Sequence, residues 1–249
     1  MSEVLLGRRG PVLVITLNRP EVRNAVDSGL GRGLLAAIRL LDTDPELRVG
    51  VITGAGKGFC AGMDLRGFLE HGDPDGIEEV IRRSSGRPLI AAVEGFAMAA
   101  GMEIALACDL IVAGSGALLG IPEVKVGLFA GGGGVLRLGR KLPYAVAMRM
   151  ALTGDPITAE EAHRMGLVVE LTPAGGALEA ALRLADTIAS RAPLGVQHSR
   201  DLLALTTDLT DAEFWERQEP LLQQVLGSAD AREGAAAFVD KRSAVWSGR

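Results

Sequence analysis

Glu103 lies between Met102 and Ile104 in AAGMEIALAC, residues 99–108, a stretch otherwise built from small and apolar side chains. A glutamate is costly to bury unpaired, because its charge loses its water shell. It is therefore either a helix N-terminal acid that faces solvent and gains from the dipole, or a carboxyl group placed for chemistry. Glu123, in Ile121-Pro122-Glu123-Val124-Lys125, poses the same choice. It is either a loop acid paired with Lys125 or a second working carboxyl. Two carboxyl groups sharing a dry site would raise at least one pKa, which suits an acid/base pair at neutral pH. A third element is Phe59-Cys60-Ala61-Gly62-Met63-Asp64-Leu65, where small residues run into a helix that Asp64 can cap. Ala99-Ala100-Gly101 repeats the arrangement at another helix start. These are two ordinary tight turns, or two helix N-termini whose free N–H groups converge on one oxygen as an oxyanion hole.

Other chemistries find less support. Cys60 and Cys108 have no histidine near them in sequence, Ser115 sits in a Gly-Ser-Gly turn, and His163 reads as a surface or satisfied core residue. No His/Cys spacing resembles a zinc site. No Gly-x-Gly-x-x-Gly follows the first strand, and Gly131–Gly134 lacks the Lys-Ser/Thr ending of a phosphate-binding P-loop.

The positioning elements follow from pattern. Pro11–Asn18 reads as a strand that can pair with Val4–Leu6 across a Gly7–Gly10 turn. Leu30, Leu34, Ile38 and Leu41 set a helical period over 27–41. Strands are expected at Val49–Thr53, Pro88–Val93, Leu110–Ala113 and Gly166–Leu171. Helices are expected from Leu65, over Ile77–Ser84 beyond an exposed Glu70–Gly76 loop, over Val135–Leu142, and over Tyr144–Leu152 with Pro143 at its first position. Thr158 to Glu161 spells a capping box. From Pro173 onward only helices are expected. The reading divides the chain into a β/α core, 1–192, and a helical tail, 193–249. Such a tail cannot readily build its own core, so it packs on the first part or on another subunit.

Composition bounds the partners. The 249 residues are 48% hydrophobic and 23% charged, a globular balance with enough chain to bury a core without staples. Net charge is 26 − 31 = −5, and aromatics are 4%, a poor profile for binding nucleic acid. Glycine, at 33 residues, exceeds the usual share of about 7%, so it must serve the backbone. Two cysteines in a chain this long, no signal-peptide core in residues 1–10 and no long apolar run point to a cytoplasmic protein without a membrane partner.

Taken together, the motifs resemble the enoyl-CoA hydratase/isomerase, or crotonase, superfamily. The resemblance covers nearly the whole chain. It is carried by Asn18-Arg19-Pro20 with Asn24-Ala25, by residues 53–64 (TGAGKGFCAGMD), by Ala91–Ala97, and by Gly101-Met102-Glu103. It continues through Ala107-Cys108-Asp109, Gly120–Glu123, Gly127, the glycine run, Leu152-Thr153-Gly154 and Ala237–Arg242. It implies an α/β spiral of repeated ββα units with a C-terminal helical region at the subunit interface of a homotrimer or a dimer of trimers. It also implies an acyl-CoA thioester substrate, with coenzyme A part of that substrate and no separate cofactor. The catalytic glutamates would be Glu103 and Glu123, and the oxyanion donors the amides of Met63 and Ala100, the latter where the family usually has glycine. Coenzyme A would lie against Arg23, Lys57, Ala61, Asp64 and Lys241, with Lys241 reaching a neighbouring subunit's ligand. Phe129 and Gly131 would belong to the substrate pocket, although Phe129 suits core packing equally well. Ala130 and Val135-Leu136 would make the wall beside the glycine run apolar. Both glutamates together favour hydration of a trans-2-enoyl thioester. The alternative is an isomerase or a specialised dehydratase of the same superfamily, and a non-enzymatic acyl-CoA binder is disfavoured by the same pair.

Overall fold

The computed structural model describes residues 2–72, 74–82 and 86–249. Two extended segments open it, the second rich in β-branched residues: β1 (Val4–Arg9) runs antiparallel to β2 (Val12–Leu17), with Gly10 at φ +54° making the turn. β3 (Val49–Gly54), β4 (Leu89–Val93), β6 (Leu110–Gly114) and β9 (Glu170–Thr172) then add in parallel, giving the order β1-β2-β3-β4-β6-β9. A smaller sheet of β5 (Phe96–Met98), β7 (Leu118–Gly120) and β8 (Ile157–Thr158) stands beside it. In two successive passes, β4-β5 and β6-β7, the chain lays one strand in the large sheet and one in the small sheet before it enters a helix. This is the expected repeated ββα plan, and β4-β5 with α4 (Ala100–Ala107) is its clearest unit.

Both faces of the large sheet are covered, which explains its near-continuous apolar strands. One face packs with α1 (Ser28–Thr43) and α4 into the main core, through Leu34, Ile38, Ile52 and Met102 among others. The other face presents Val12, Val49, Val51, Ile90 and Val112 to α8 (Ala177–Ala189). The alanine stripe Ala177, Ala181, Ala185 lets that helix approach closely. The remaining helices are α2 (Leu65–His71), α3 (Ile77–Arg82), α5 (Gly134–Lys141), α6 (Tyr144–Thr153), α7 (Ala159–Arg164), α9 (Pro193–Leu205), α10 (Asp211–Gly227) and α11 (Ala229–Val239).

Several expectations shift. The small sheet was not foreseen, because strands of two or three residues carry no alternation to read. The strand expected over 166–171 is confined to Glu170–Thr172, and the preceding residues form a turn. Pro143 sits one position earlier than expected, as the N-cap of α6. Glu70 belongs to α2, not to a loop. The helix expected to reach Ser84 is described only to Arg82, and Asp73 and residues 83–85 lie outside the described residues. The capping box forms as expected, with Thr158 and Glu161 bonding reciprocally.

Asn24 clamps the loop that leads toward the future site. It is fully buried at φ +57°, and its Nδ2 donates to the carbonyls of Ala55, Gly58 and Phe59 at 2.9–3.0 Å. Its Oδ1 accepts from Arg19 N at 2.9 Å. Replacing Asn24 by alanine strands these buried partners and leaves a side chain that disfavours positive φ. Asn24→Ala is expected to cost roughly 2–4 kcal/mol of unfolding free energy, read by urea denaturation.

Candidate active site

Two chain segments, 59–63 and 96–101, are laced side by side through the backbone. Phe59 N donates to Phe96 O and Met98 N to Cys60 O, both at 3.0 Å. On the other edge, Val26 N donates to Gly62 O at 2.7 Å and Asp64 N to Val26 O at 2.9 Å. These bonds skip Met63, whose amide has no backbone acceptor among the described residues. Ala100 is the first residue of α4, and its amide is likewise without one, as helix geometry dictates. Ala99 caps this helix without a side-chain bond, in a conformation (φ +50°, ψ −127°) that a β-carbon disfavours. Gly62, at φ +112°, accommodates it, since a Cβ there would fall 2.7 Å from the Cβ of Ala99 and 3.6 Å from Ala100 N. Cys60 fills the space beneath. Its Sγ accepts from Gly62 N at 3.4 Å, and burial pushes the thiol up to about 12.

Glu103 follows Ala100 by one turn of α4 and is only 5% exposed. Its Oε1 accepts from Gly134 N at 2.9 Å. A Cβ at Gly132 would stand 2.6 Å from its Oε2, so glycine is required where the backbone wraps the carboxyl group. Desolvation raises the Glu103 pKa, while the Gly134 and Gly132 amides and the nearby Arg137 guanidinium pull it back. Glu123 sits in a 3-10 turn, Pro122–Val126, that follows β7. Ala99 N donates to Gly120 O at 2.9 Å and ties this segment to the start of α4. The Oε2 of Glu123 is buried and has no hydrogen-bond partner among the described residues. Desolvation lifts its pKa to about 7; its own amide opposes the shift and the charge of Glu103 adds to it. The two carboxyl groups therefore lie within each other's field, and the amide bonds favour ionisation of Glu103 over Glu123.

Both acids, Met63, Ala99 and Ala100 border one cavity of about 600 Å³. Its far wall is apolar, with Phe68 from α2, Ile77 and Ile81 from α3, and Leu128 and Phe129 beyond Glu123. Phe129 is 73% exposed, which places it at the rim of the cavity and not in the core. Gly131 and Ala61 border the cavity as well. Val135 and Leu136 do not; they point outward on α5, so the apolar wall expected from them comes from α2 and α3 instead. Lys125 pairs with Asp155 at 2.6 Å and leaves Glu123 alone.

The residues expected around coenzyme A divide into two groups. Ala61 is at the cavity, with its amide donating to Arg23 O at 3.0 Å. Arg23, Lys57 and Lys241 are exposed and stand outside the cavity lining. Asp64 commits its carboxylate to fold, accepting from Gly67 N at 3.3 Å as the N-cap of α2 and pairing with Arg19 at 3.2 Å; the Gly67 bond and Arg19 hold its pKa low. Sequence reading did not find Arg137 or the contribution of α3. Arg137 sits in a run of basic residues that resembles a solvent face. Among the described residues no cluster of three or more His, Cys, Asp or Glu side chains could hold a metal.

A family model described as enoyl-CoA hydratase/isomerase matches residues 7–249. The chain belongs to this family. As a crotonase-superfamily enzyme it is 40% identical to enoyl-CoA hydratase EchA19 of Mycobacterium tuberculosis, over 97% of this chain and 95% of that protein. It is 36% identical to the 2,3-dehydroadipyl-CoA hydratase of Escherichia coli over the full length of both. A crystal structure of an enoyl-CoA hydratase from Mycobacterium tuberculosis superposes on it with a TM-score of 0.93 at 44% identity, each chain fully covered.

In this crotonase-family enzyme the raised pKa of Glu123 has a stability consequence. A carboxyl that binds its proton more tightly when folded opposes folding at pH values above its unfolded pKa, and the full penalty is reached above about 7. Glu123→Gln is therefore expected to raise Tm at pH 8 by roughly 2–4 °C, about 1 kcal/mol after allowing for solvent screening. The gain should vanish near pH 4, where the wild-type carboxyl is protonated in both states; calorimetry at the two pH values checks this.

Proposed function

We propose that the protein is an enoyl-CoA hydratase, adding water across the trans-2 double bond of an enoyl-CoA thioester to give a 3-hydroxyacyl-CoA, reversibly. The observation that carries the proposal is the pair of carboxyl groups, Glu103 buried and Glu123 half-buried, held in unequal environments beside two unclaimed amides. Environments that push two like groups apart in pKa divide acid from base. Glu103, whose pKa desolvation raises while two backbone amides and Arg137 oppose the rise, orients water and takes its proton as the hydroxyl oxygen bonds to Cβ. Glu123, with a pKa of about 7, is available in protonated form near neutrality and gives its proton to Cα. Negative charge gathers on the thioester oxygen as the enolate develops. The amides of Met63 and Ala100 receive it, and the α4 dipole adds to their effect. The apolar wall of Phe68, Ile77 and Ile81 suits an acyl chain.

The coenzyme A end belongs, on this proposal, to the linked loops that carry Arg23, Lys57 and Ala61, with Lys241 contributing from a neighbouring subunit. Large apolar side chains left exposed on the tail, among them Phe238 at 86% and Trp215 at 63%, support self-association as a trimer or a dimer of trimers.

Crotonyl-CoA hydration, followed by loss of the conjugated thioester absorbance, tests the reaction. Glu103→Gln and Glu123→Gln are each expected to lower kcat by about 10²–10⁴. The wild-type rate should fall on the alkaline side as Glu123 loses its proton and on the acid side as Glu103 gains one. A Glu103→Gln variant that hydrates at the wild-type rate overturns the proposal. Retained double-bond isomerisation in that variant would show Glu123 shuttling a proton unaided.

For the nucleotide end, Arg23→Ala and Lys57→Ala should raise KM for crotonyl-CoA while leaving kinetics with crotonyl-pantetheine unchanged. An equal effect on both thioesters would remove these cations from phosphate binding.

A further inference from the structure

Arg137 connects two walls of the cavity that share no other described hydrogen bond to each other. It lies on the first turn of α5, three residues after the Gly134 amide that binds Glu103. Its Nη1 donates to Gly132 O at 3.3 Å, and its Nη2 donates to Ile81 O near the end of α3. Ile81 and Gly132 both line the cavity. A Cβ at Gly133 would fall 2.2 Å from Nη1, so the guanidinium lies directly against the glycine run. A planar fork of N–H groups is suited to grip carbonyls from two elements at once, which a lysine ammonium on a flexible stem is not.

We propose that Arg137 is a positioning residue, latching α3 to the glycine run and so fixing the Glu103 carboxyl group relative to the apolar wall. The inference rests on the hydratase reading for its kinetic arm alone. Glu103 faces Glu123 from the 3-10 turn and Arg137 from α5, and Arg137 in turn faces Arg140 on its own helix and Cys108 at the end of α4. Removing Arg137 takes away a cation that favours ionised Glu103 and frees the backbone that carries the Gly134 amide. An arginine serving stability alone would alter Tm and leave the kcat of the folded enzyme where it was.

The experiment uses the full chain as wild type, Arg137→Met and Arg137→Lys. Each is labelled with δ-13C glutamate for NMR titration, with the Glu103 signal assigned by its loss in Glu103→Gln, and each is assayed on crotonyl-CoA. In Arg137→Met the Glu103 carboxyl should titrate at higher pH, and kcat should fall roughly tenfold to a hundredfold with little change in KM. Arg137→Lys should return the titration toward the wild-type position, because the charge is restored, yet recover only part of kcat. A folded Arg137→Met with unchanged Glu103 titration and unchanged kcat overturns the proposal. If that variant does not fold, wild-type kcat in Arg137→Lys overturns it and a reduced kcat supports it. Should the wild-type protein fail to hydrate crotonyl-CoA, the hydratase reading falls, while the titration in Arg137→Lys still tests Arg137: full return to the wild-type position leaves only its charge and overturns the latch, and partial return supports it.

Discussion

Two partly desolvated carboxyl groups on one cavity resist holding full charge together without help, and much of the local architecture answers that constraint. Glu103 receives its help from the backbone. Amides of the glycine run reach it because no side chains stand in their way, and a methyl at Gly132 would collide with its Oε2. Glu123 receives almost none, having one buried oxygen without a partner. On the proposed function, the asymmetry is what turns a pair of identical functional groups into an acid and a base. Much of the glycine excess evident from composition is spent on such close approaches.

Placing charge-stabilising amides beside that pair is a problem of registration between distant segments, and α4 solves part of it. Ala100 and Glu103 are three residues apart on one helix, so the rise of about 1.5 Å per residue fixes the spacing of an amide donor and a carboxyl group with no loop between them. The second candidate donor, Met63, comes from another part of the chain and is aligned by the hydrogen bonds that its neighbours Phe59, Cys60, Gly62 and Asp64 make with Phe96, Met98 and Val26. Behind them Asn24 holds the 55–59 loop through three carbonyls. Arg19 joins the caps of α1 and α2 by pairing with both Asp27 and Asp64. The site is built mainly from backbone, with a few buried polar side chains keeping that backbone in place.

What could be read from sequence follows from this. Glu103 was legible because an acid embedded among alanines, leucine and isoleucine has few other reasons to be there. The helix starts at Leu65 and Ala100 were legible from small residues and a capping aspartate. The large sheet was legible from β-branched runs bounded by glycine and proline. The small sheet was not, since Phe96–Met98 and Ile157–Thr158 are too short for any period and are stabilised by pairing across the fold. Arg137 escaped notice because Arg140 and Lys141 beside it give the segment the look of a solvated face. Asp64 was read as a cap and, through the family resemblance, also as a ligand contact. The structure shows its carboxylate engaged as a cap and ion-pair partner.

Cys60 has a consequence of its own. Its sulfur is sealed under the loop that carries Met63, with no solvent exposure and the thiol form strongly favoured. Thiolate is the species that alkylating reagents and peroxide attack, so this cysteine is shielded for as long as segments 59–63 and 96–101 stay laced together. Its reactivity is thus a native gauge of how often the candidate site breathes open, legible without introducing any label.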